Sequence, residues 1–225
     1  MKPHIKLAET KTPDGGTMSL FEHDGDYSIS LDGAEIMHSR ASTSEELLGQ
    51  LGIERLNRND STRVLIGGLG LGFTLRTTLL YSGAQTRVEV AELLPEIVEW
   101  NRTYMQKLNG ALVDDPRVEI RKANVSSLIR KSKPATYDAI MLDVDNGPVA
   151  KVAKNNFSLY SNNGLRAIRS ALKPKGRVIF WSAGPEPMFE PRFGRAGFKV
   201  RAVPAKVHER AKRAAYMLYV GDRIG

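Results

Sequence analysis

Apolar and polar positions alternate with two different periods along this 225-residue chain. Over residues 17–38 the period is two, with Met18 and Leu20, then Tyr27, Ile29 and Leu31, interrupted by His23-Asp24-Gly25-Asp26 and Leu31-Asp32-Gly33-Ala34. Those interruptions have hairpin-turn chemistry, so two or three short antiparallel strands are predicted. From Ser42 the period lengthens. Ser42-Thr43-Ser44-Glu45-Glu46 supplies a capping hydroxyl and first-turn acids, and Leu47, Leu48 and Leu51 form the stripe of a helix.

Beyond the polar stretch Asn57–Ser61, strand and helix signals take turns. Val64-Leu65-Ile66 reads as a buried strand, Phe73 to Tyr81 as a helix, and Arg87 to Ala91 as a second strand. Leu94-Pro95 opens another helix, with Ile97, Val98 and Tyr104-Met105 facing inward and Asn109-Gly110 closing it. Val118 to Ile120 and Tyr137 to Leu142 follow as strands. Ser161 to Leu172 is a helix ending at the turn Lys173-Pro174-Lys175-Gly176, before a strand at Arg177 to Trp181. Gly197 to Val203 and Ala215 to Val220 form a last antiparallel pair. The expected fold is α/β: a mostly parallel sheet with right-handed crossovers and an antiparallel C-terminal edge. A small N-terminal β-domain, residues 1–45, precedes the main domain, residues 46–225.

Composition adds bounds. Hydrophobic residues make up 41% and charged residues 26%, as in water-soluble globular chains, and no apolar run approaches the roughly 20 residues that cross a bilayer. The absence of cysteine removes disulfides, thiolate metal sites and a cysteine nucleophile. Met1-Lys2-Pro3-His4-Ile5-Lys6 has no secretory character, so a cytoplasmic address and no membrane partner are expected. The formal charge is +8, with Lys199, Arg201, Lys206, Arg210, Lys212 and Arg213 concentrated near the C-terminus. These charges read as a solvated hairpin, because no aromatic platform or recognition helix accompanies them. The four histidines show no ligand spacing, and Trp100 and Trp181 read as core or pocket wall.

Candidate chemistry begins where the first buried strand runs into Gly67, Gly68, Gly70 and Gly72. Missing side chains there let a ligand approach the backbone as the chain turns into a helix. Glu92 ends the next strand, about 20 residues beyond the loop, where doubly wound sheets grip a ribose diol. A nucleoside cofactor is therefore expected. The G-x-G-x-x-G spacing of nicotinamide binders fails because Phe73 stands where the third glycine belongs, and no Gly-Lys-Ser/Thr completes a phosphate-binding loop.

What remains, Gly68-x-Gly70-x-Gly72, is similar to motif I of class I S-adenosylmethionine-dependent methyltransferases, although Ile66 stands where many carry an acid. Whole segments more closely resemble the spermidine synthase family: Val64-Leu65-Ile66-Gly67-Gly68, Glu92-Leu93-Leu94-Pro95-Glu96, Asp115-Pro116-Arg117-Val118, and Tyr137-Asp138-Ala139-Ile140-Met141-Leu142-Asp143 with Gly147-Pro148 after it. The resemblance implies a Rossmann-like, seven-stranded methyltransferase fold with an N-terminal β-hairpin region. It implies S-adenosylmethionine or its decarboxylated form as group donor, held by Gly67, Gly68, Gly70, Gly72, Glu92, Leu93, Asn124, Val125 and Asp143. Asp143 would be the base that takes a proton from an attacking amine, and Asp145 its companion, with the loop after Asp143 two residues shorter than in the family. Gly70 replaces a family aspartate, Ile36 a glutamine, and Ser44 and Glu45 a tyrosine and a histidine or glutamine, while Glu46 matches.

The expected activity is transfer of an aminopropyl or methyl group to an amine or other small acceptor, by a homodimer. Small-molecule methyl transfer and an RNA-modifying or RNA-binding role for the basic segment are the alternatives. Asp143, Asp145 and Asn146 read as a hydrogen-bonded turn, so no metal is expected.

Overall fold

A computed structural model describes residues 3–144 and 158–225. Four antiparallel strands, β1 (Ile5–Lys11), β2 (Thr17–His23), β3 (Asp26–Leu31) and β4 (Ala34–His38), form an N-terminal sheet in sequential order. The β2–β3 and β3–β4 turns each have two consecutive residues in the left-handed region: Asp24 and Gly25 at φ 54° and 85°, Asp32 and Gly33 at 51° and 81°. This turn geometry matches the right-handed twist of the strands, so sequence alone located both hairpins. Strand β1 is the one not predicted. It is an edge strand with no fully buried position, and it carries no period of two.

Seven further strands, β5 (Arg63–Gly67), β6 (Arg87–Glu92), β7 (Val118–Lys122), β8 (Tyr137–Leu142), β9 (Leu172–Ser182), β10 (Phe198–Ala205) and β11 (Tyr216–Arg223), build the main sheet. Their order is β10-β11-β9-β8-β5-β6-β7, with β11 antiparallel to both neighbours and the other pairs parallel. The helices are α1 (Thr43–Ile53), α2 (Phe73–Tyr81), α3 (Pro95–Thr103), α4 (Gln106–Asn109), α5 (Val125–Lys131), α6 (Asn162–Ala171) and α7 (Phe189–Arg195). The chain leaves β5 toward β6 and β7 and returns on its other side through β8 and β9. The strand order thus reverses between β5 and β8, the place where open α/β sheets form a crevice beyond their carboxyl ends.

The two sheets share one apolar core. Met18, Leu20 and Ile29 of the N-terminal sheet belong to the same buried cluster as Val64, Ile66, Val90 and Met141 of the main sheet. Against the main sheet, Phe180 packs edge to face on Phe189 and Phe193, and Phe193 tilts against Phe198, with centroids near 5 Å, anchoring α7. Among the described residues no helix is long and apolar enough to cross a membrane.

Several expectations require correction. Helices α5 and α7 went unpredicted; both are short, and their apolar residues are few. Ser42 precedes α1 but does not cap it. Its φ/ψ of −87°/−12° are helical, so its hydroxyl cannot meet the first-turn amides and donates to Glu46 Oε1 at 3.0 Å. Tyr104 is exposed rather than inward, because α3 ends at Thr103 and the chain reopens as α4, leaving Met105 to fill the core. Lys173–Gly176 does not separate helix from strand. Strand β9 already begins at Leu172, and the register against β8 shifts between Tyr137 and Ala139, with Lys175 at φ 63°.

Candidate functional site

The glycine loop leaves β5 under tight constraint. The Gly68 amide donates to the Ala91 carbonyl at 2.9 Å, and Gly68 has φ +88°. A β-carbon there would lie 2.4 Å from the Asp143 carbonyl oxygen, so the loop and the end of β8 touch backbone to backbone. The Asp143 amide closes the contact by donating to the Gly67 carbonyl at 3.0 Å. From the far side, Asn101 Nδ2 donates to the Gly70 carbonyl at 2.9 Å and Asn109 Nδ2 donates to the Leu71 carbonyl. Two asparagines from the α3–α4 segment thereby fix the loop's curvature.

Glu92, at the tip of β6, is tied into the same loop. Leu69 N–H donates to its Oε2 at 3.0 Å and Leu94 N–H to its Oε1 at 2.9 Å. Burial pushes this carboxyl above the ordinary glutamate range, and the backbone N–H groups of Leu94, Leu69 and Leu93 oppose that shift. Gly68, Gly70, Glu92 and Leu93 line a small cavity of about 100 Å³, completed by Asn124, Val125 and Asp143. Ile36 and Met37 of β4 form its cover. Asn124 also caps α5, its Oδ1 accepting the Ser126 and Ser127 amides at 3.0 and 3.3 Å. Gly67 does not line this cavity. It lies beneath, where a side chain would strike Val125 Cγ2 at 2.9 Å.

A larger cavity of about 320 Å³ opens beside the first, and Ile36, Met37, Gly70 and Asp143 line both. Gly72 belongs to the larger one. Ser44 and Glu45 enter it from the first turn of α1, Trp181 from the end of β9 and Tyr216 from the start of β11. The Trp181 and Tyr216 rings lie 4.8 Å apart, inclined at 46°. Burial raises the Glu45 carboxyl, a shift opposed by the Ser44 hydroxyl, which donates to Oε2 at 2.7 Å. Burial raises the Tyr216 phenol as well, and the Glu45 charge adds to that rise. Glu46 has a different partner, Arg76, at 2.6 Å. His38 is half-buried and lines the cavity.

The helical pattern places Glu45 in the first turn of α1, and the family resemblance puts it where a histidine or glutamine is expected. Nothing in its spacing marks it as a cavity residue, because the partner strands β9 and β11 lie more than a hundred positions away in the chain. Asp145 and Asn146, with Gly147-Pro148, lie outside the described residues. The basic residues Lys206, Arg210, Lys212 and Arg213 are exposed in the β10–β11 connection, and Val207 of that segment lines the larger cavity.

One carboxylate, Asp143, thus stands between two concavities. The smaller offers a half-buried carboxylate suited to paired hydroxyls. The larger offers a second carboxylate beside aromatic faces, suited to a cation. Comparison with known proteins identifies the family. Residues 42–191 match the family model described as Spermine/spermidine synthase domain. Polyamine aminopropyltransferase 1 of Streptomyces coelicolor is 33% identical over 126 residues, which is 55% of this chain and 23% of that protein. The polyamine aminopropyltransferase of Nitrosomonas europaea is 31% identical over 123 residues, 54% of this chain and 35% of its own length. The match therefore spans about a quarter to a third of these curated relatives. Among solved structures, a spermidine synthase in complex with the transition state analogue AdoDATO aligns over 97% of this chain and 73% of its own, with TM-score 0.78 and 21% identity. The Thermotoga maritima spermidine synthase aligns over 97% and 72%, with TM-score 0.74 and 20% identity. These structures share the fold.

Proposed function

The chain belongs to the spermine/spermidine synthase family, and from that premise we propose that it transfers an aminopropyl group from decarboxylated S-adenosylmethionine to a small amine. The observation that carries this reading is Asp143, a carboxylate lining both the small cleft shared by the glycine loop and Glu92 and the adjoining larger cavity that holds Glu45, Trp181 and Tyr216.

In the proposed reaction the adenosyl part of the donor lies along the glycine loop, with its ribose hydroxyls on Glu92 and its base near Asn124 and Val125. A carboxylate accepts from both hydroxyls at once, and Leu69 and Leu94 already aim its oxygens. The acceptor enters the larger cavity. Its neutral amine nitrogen attacks the aminopropyl carbon next to the sulfonium, a carbon–nitrogen bond forms as the carbon–sulfur bond breaks, and the sulfur leaves as the neutral thioether of methylthioadenosine. The nitrogen's surplus proton passes to Asp143. No step requires a metal, a redox partner or a covalent enzyme intermediate. Two copies of the chain are the proposed assembly, and the division into residues 1–45 and 46–225 is proposed as the domain boundary.

The test is direct. The full chain is incubated with decarboxylated S-adenosylmethionine and a short aliphatic diamine, and methylthioadenosine release is followed. Release that requires both reactants supports the proposal. Release only from intact S-adenosylmethionine as its demethylated thioether would replace it with methyl transfer. Failure of methylthioadenosine to bind, together with an unaltered Glu92→Ala protein, would remove the donor site altogether.

A further inference from the structure

Four guanidinium groups line one groove on the rim of the main sheet opposite the glycine loop. Arg166 and Arg169 come from α6, Arg195 from the last turn of α7 and Arg223 from the end of β11. Strand β11 runs antiparallel to β9, so its carboxyl end lies beside the amino end of β9, where Arg223 donates to the Leu172 carbonyl. The glycine loop leaves β5 at the other rim, where the parallel strands have their carboxyl ends. Among the described residues the groove, about 770 Å³, shares no lining residue with either cavity described above.

No acidic side chain compensates these charges. Among the described residues no aspartate or glutamate lines the groove or forms an ion pair with any of the four arginines. Arg169 donates instead to the main-chain oxygens of Ile224 and Gly225 at 3.1 and 2.9 Å, Arg223 to that of Arg169 at 3.0 Å, and Arg166 to the Asn163 side-chain amide. The Nε–H groups of Arg169 and Arg223 are buried without an acceptor. Helix ends account for only part of this arrangement. A helix C-terminus carries about half a negative charge, so α6 and α7 together offset about one of the four positive charges. Holding the remainder side by side costs stability, and a bound anion offsets that cost.

The remaining walls narrow the class of ligand. Pro134, Ala135, Pro174 and Gly197 supply small or apolar surface, and among the described residues no aromatic ring lines the groove for a base to stack on. Gly197, at φ +92°, makes room for one of the cations: a β-carbon there would lie 2.6 Å from Arg169 Nε. We propose that this groove is a second ligand site, in which Arg166, Arg169, Arg195 and Arg223 bind an oligophosphate. Guanidinium forks match phosphate oxygens, and the positive charge left after the helix ends are counted exceeds the roughly two negative charges of a single phosphate. The same chemistry occurs in free oligophosphate and in the triphosphate tail of a nucleotide, and walls without a ring give no preference between them. The site is independent of the transfer reaction proposed above.

The experiment is a calorimetric titration of tripolyphosphate, ATP, inorganic phosphate and a single-stranded RNA oligonucleotide, each separately, into the full chain with and without methylthioadenosine. Salt is kept at about 0.15 M, where exposed charges are screened. Wild type is compared with the double variant Arg166→Gln/Arg195→Gln and with Lys212→Gln/Arg213→Gln, a control of equal charge in the β10–β11 connection. Melting temperatures verify folding, and Arg195→Gln alone, which removes no hydrogen bond among the described residues, carries the comparison where the double variant is unstable. Tripolyphosphate is expected to bind wild type one to one, about tenfold or more tighter than inorganic phosphate and about equally with ATP. The groove variant loses about tenfold or more in affinity, and the control keeps the wild-type value. Absence of tripolyphosphate binding, equal losses in groove variant and control, or several anions bound per chain overturns the site. Competition by methylthioadenosine places the anion in the donor cleft and overturns it as well. RNA bound more tightly than tripolyphosphate, with the same dependence on the arginines, replaces the oligophosphate with a nucleic-acid backbone.

Discussion

Leu69 and Glu92, 23 positions apart, meet through a backbone N–H that donates to the carboxylate at 3.0 Å. The glycine loop and the tip of β6 therefore form one unit, and the acid that would grip a ribose is aimed before any ligand arrives. Preorganisation of this kind reduces the ordering cost of binding.

Glu92→Gln is expected to weaken methylthioadenosine binding by about 10- to 100-fold, because one charged hydrogen bond contributes about 1.5–3 kcal/mol. Isothermal calorimetry reads this directly. Unchanged affinity would show that the ribose lies elsewhere.

Gly68→Ala tests the loop against β8. The substituted β-carbon would meet the Asp143 carbonyl at 2.4 Å, and the residue would have to adopt φ +88°. Backbone strain alone costs about 1–3 kcal/mol, and the displaced Asp143 should reduce turnover more than stability. Gly25→Ala, left-handed but with open space around it, serves as the comparison: a lower melting temperature with turnover retained. Equal turnover in both variants would argue against the contact.

For Asp143→Asn the expected outcome is unchanged donor binding with turnover reduced by about 10²- to 10⁴-fold, the usual contribution of a positioned general base. Single-turnover assays with saturating donor separate chemistry from binding. Full activity would exclude Asp143 as the proton acceptor.

Far from the cavities, Arg177 is buried among Asp222 at 2.7 Å, Glu54 and the Leu51 carbonyl at 2.8 Å. Burial pushes the Asp222 carboxyl up, but Arg177 and Arg55 outweigh it and hold the group below the usual aspartate range. A depressed folded-state value means stability that is present above the unfolded value, near pH 4, and lost as pH falls through the folded one. Asp222→Asn should therefore cost about 2 kcal/mol at neutral pH and progressively less below pH 4. Urea melts at several pH values measure this; a cost independent of pH would mean that the aspartate charge contributes nothing.

Much of this molecule was legible in the chain. Period-two and longer periods located the hairpins and the alternation of β5 through β9, because local burial repeats with local geometry. The glycines and the acid at the end of the next strand marked the loop whose Gly68 and Gly70 line the smaller cavity with Glu92, since close backbone approach and a strand-end carboxylate are both sequence-local features. Whole-segment resemblance supplied the family, and the residue 42–191 match agrees with it.

Tertiary structure decided what no spacing could. Glu45 and Glu46 are adjacent acids with the same helical propensity, and only the packing of α1 against α2, β8 and β9 sends one toward Trp181 and Tyr216 and the other to Arg76. Met37 became a wall of both cavities because the N-terminal sheet folds over Gly70, a contact between residues 33 positions apart. The chain by itself determined which backbone could bind a nucleoside. Which carboxylate faces the larger cavity depended on long-range packing, because a side chain's direction is fixed by the elements packed around it and not by its neighbours in sequence.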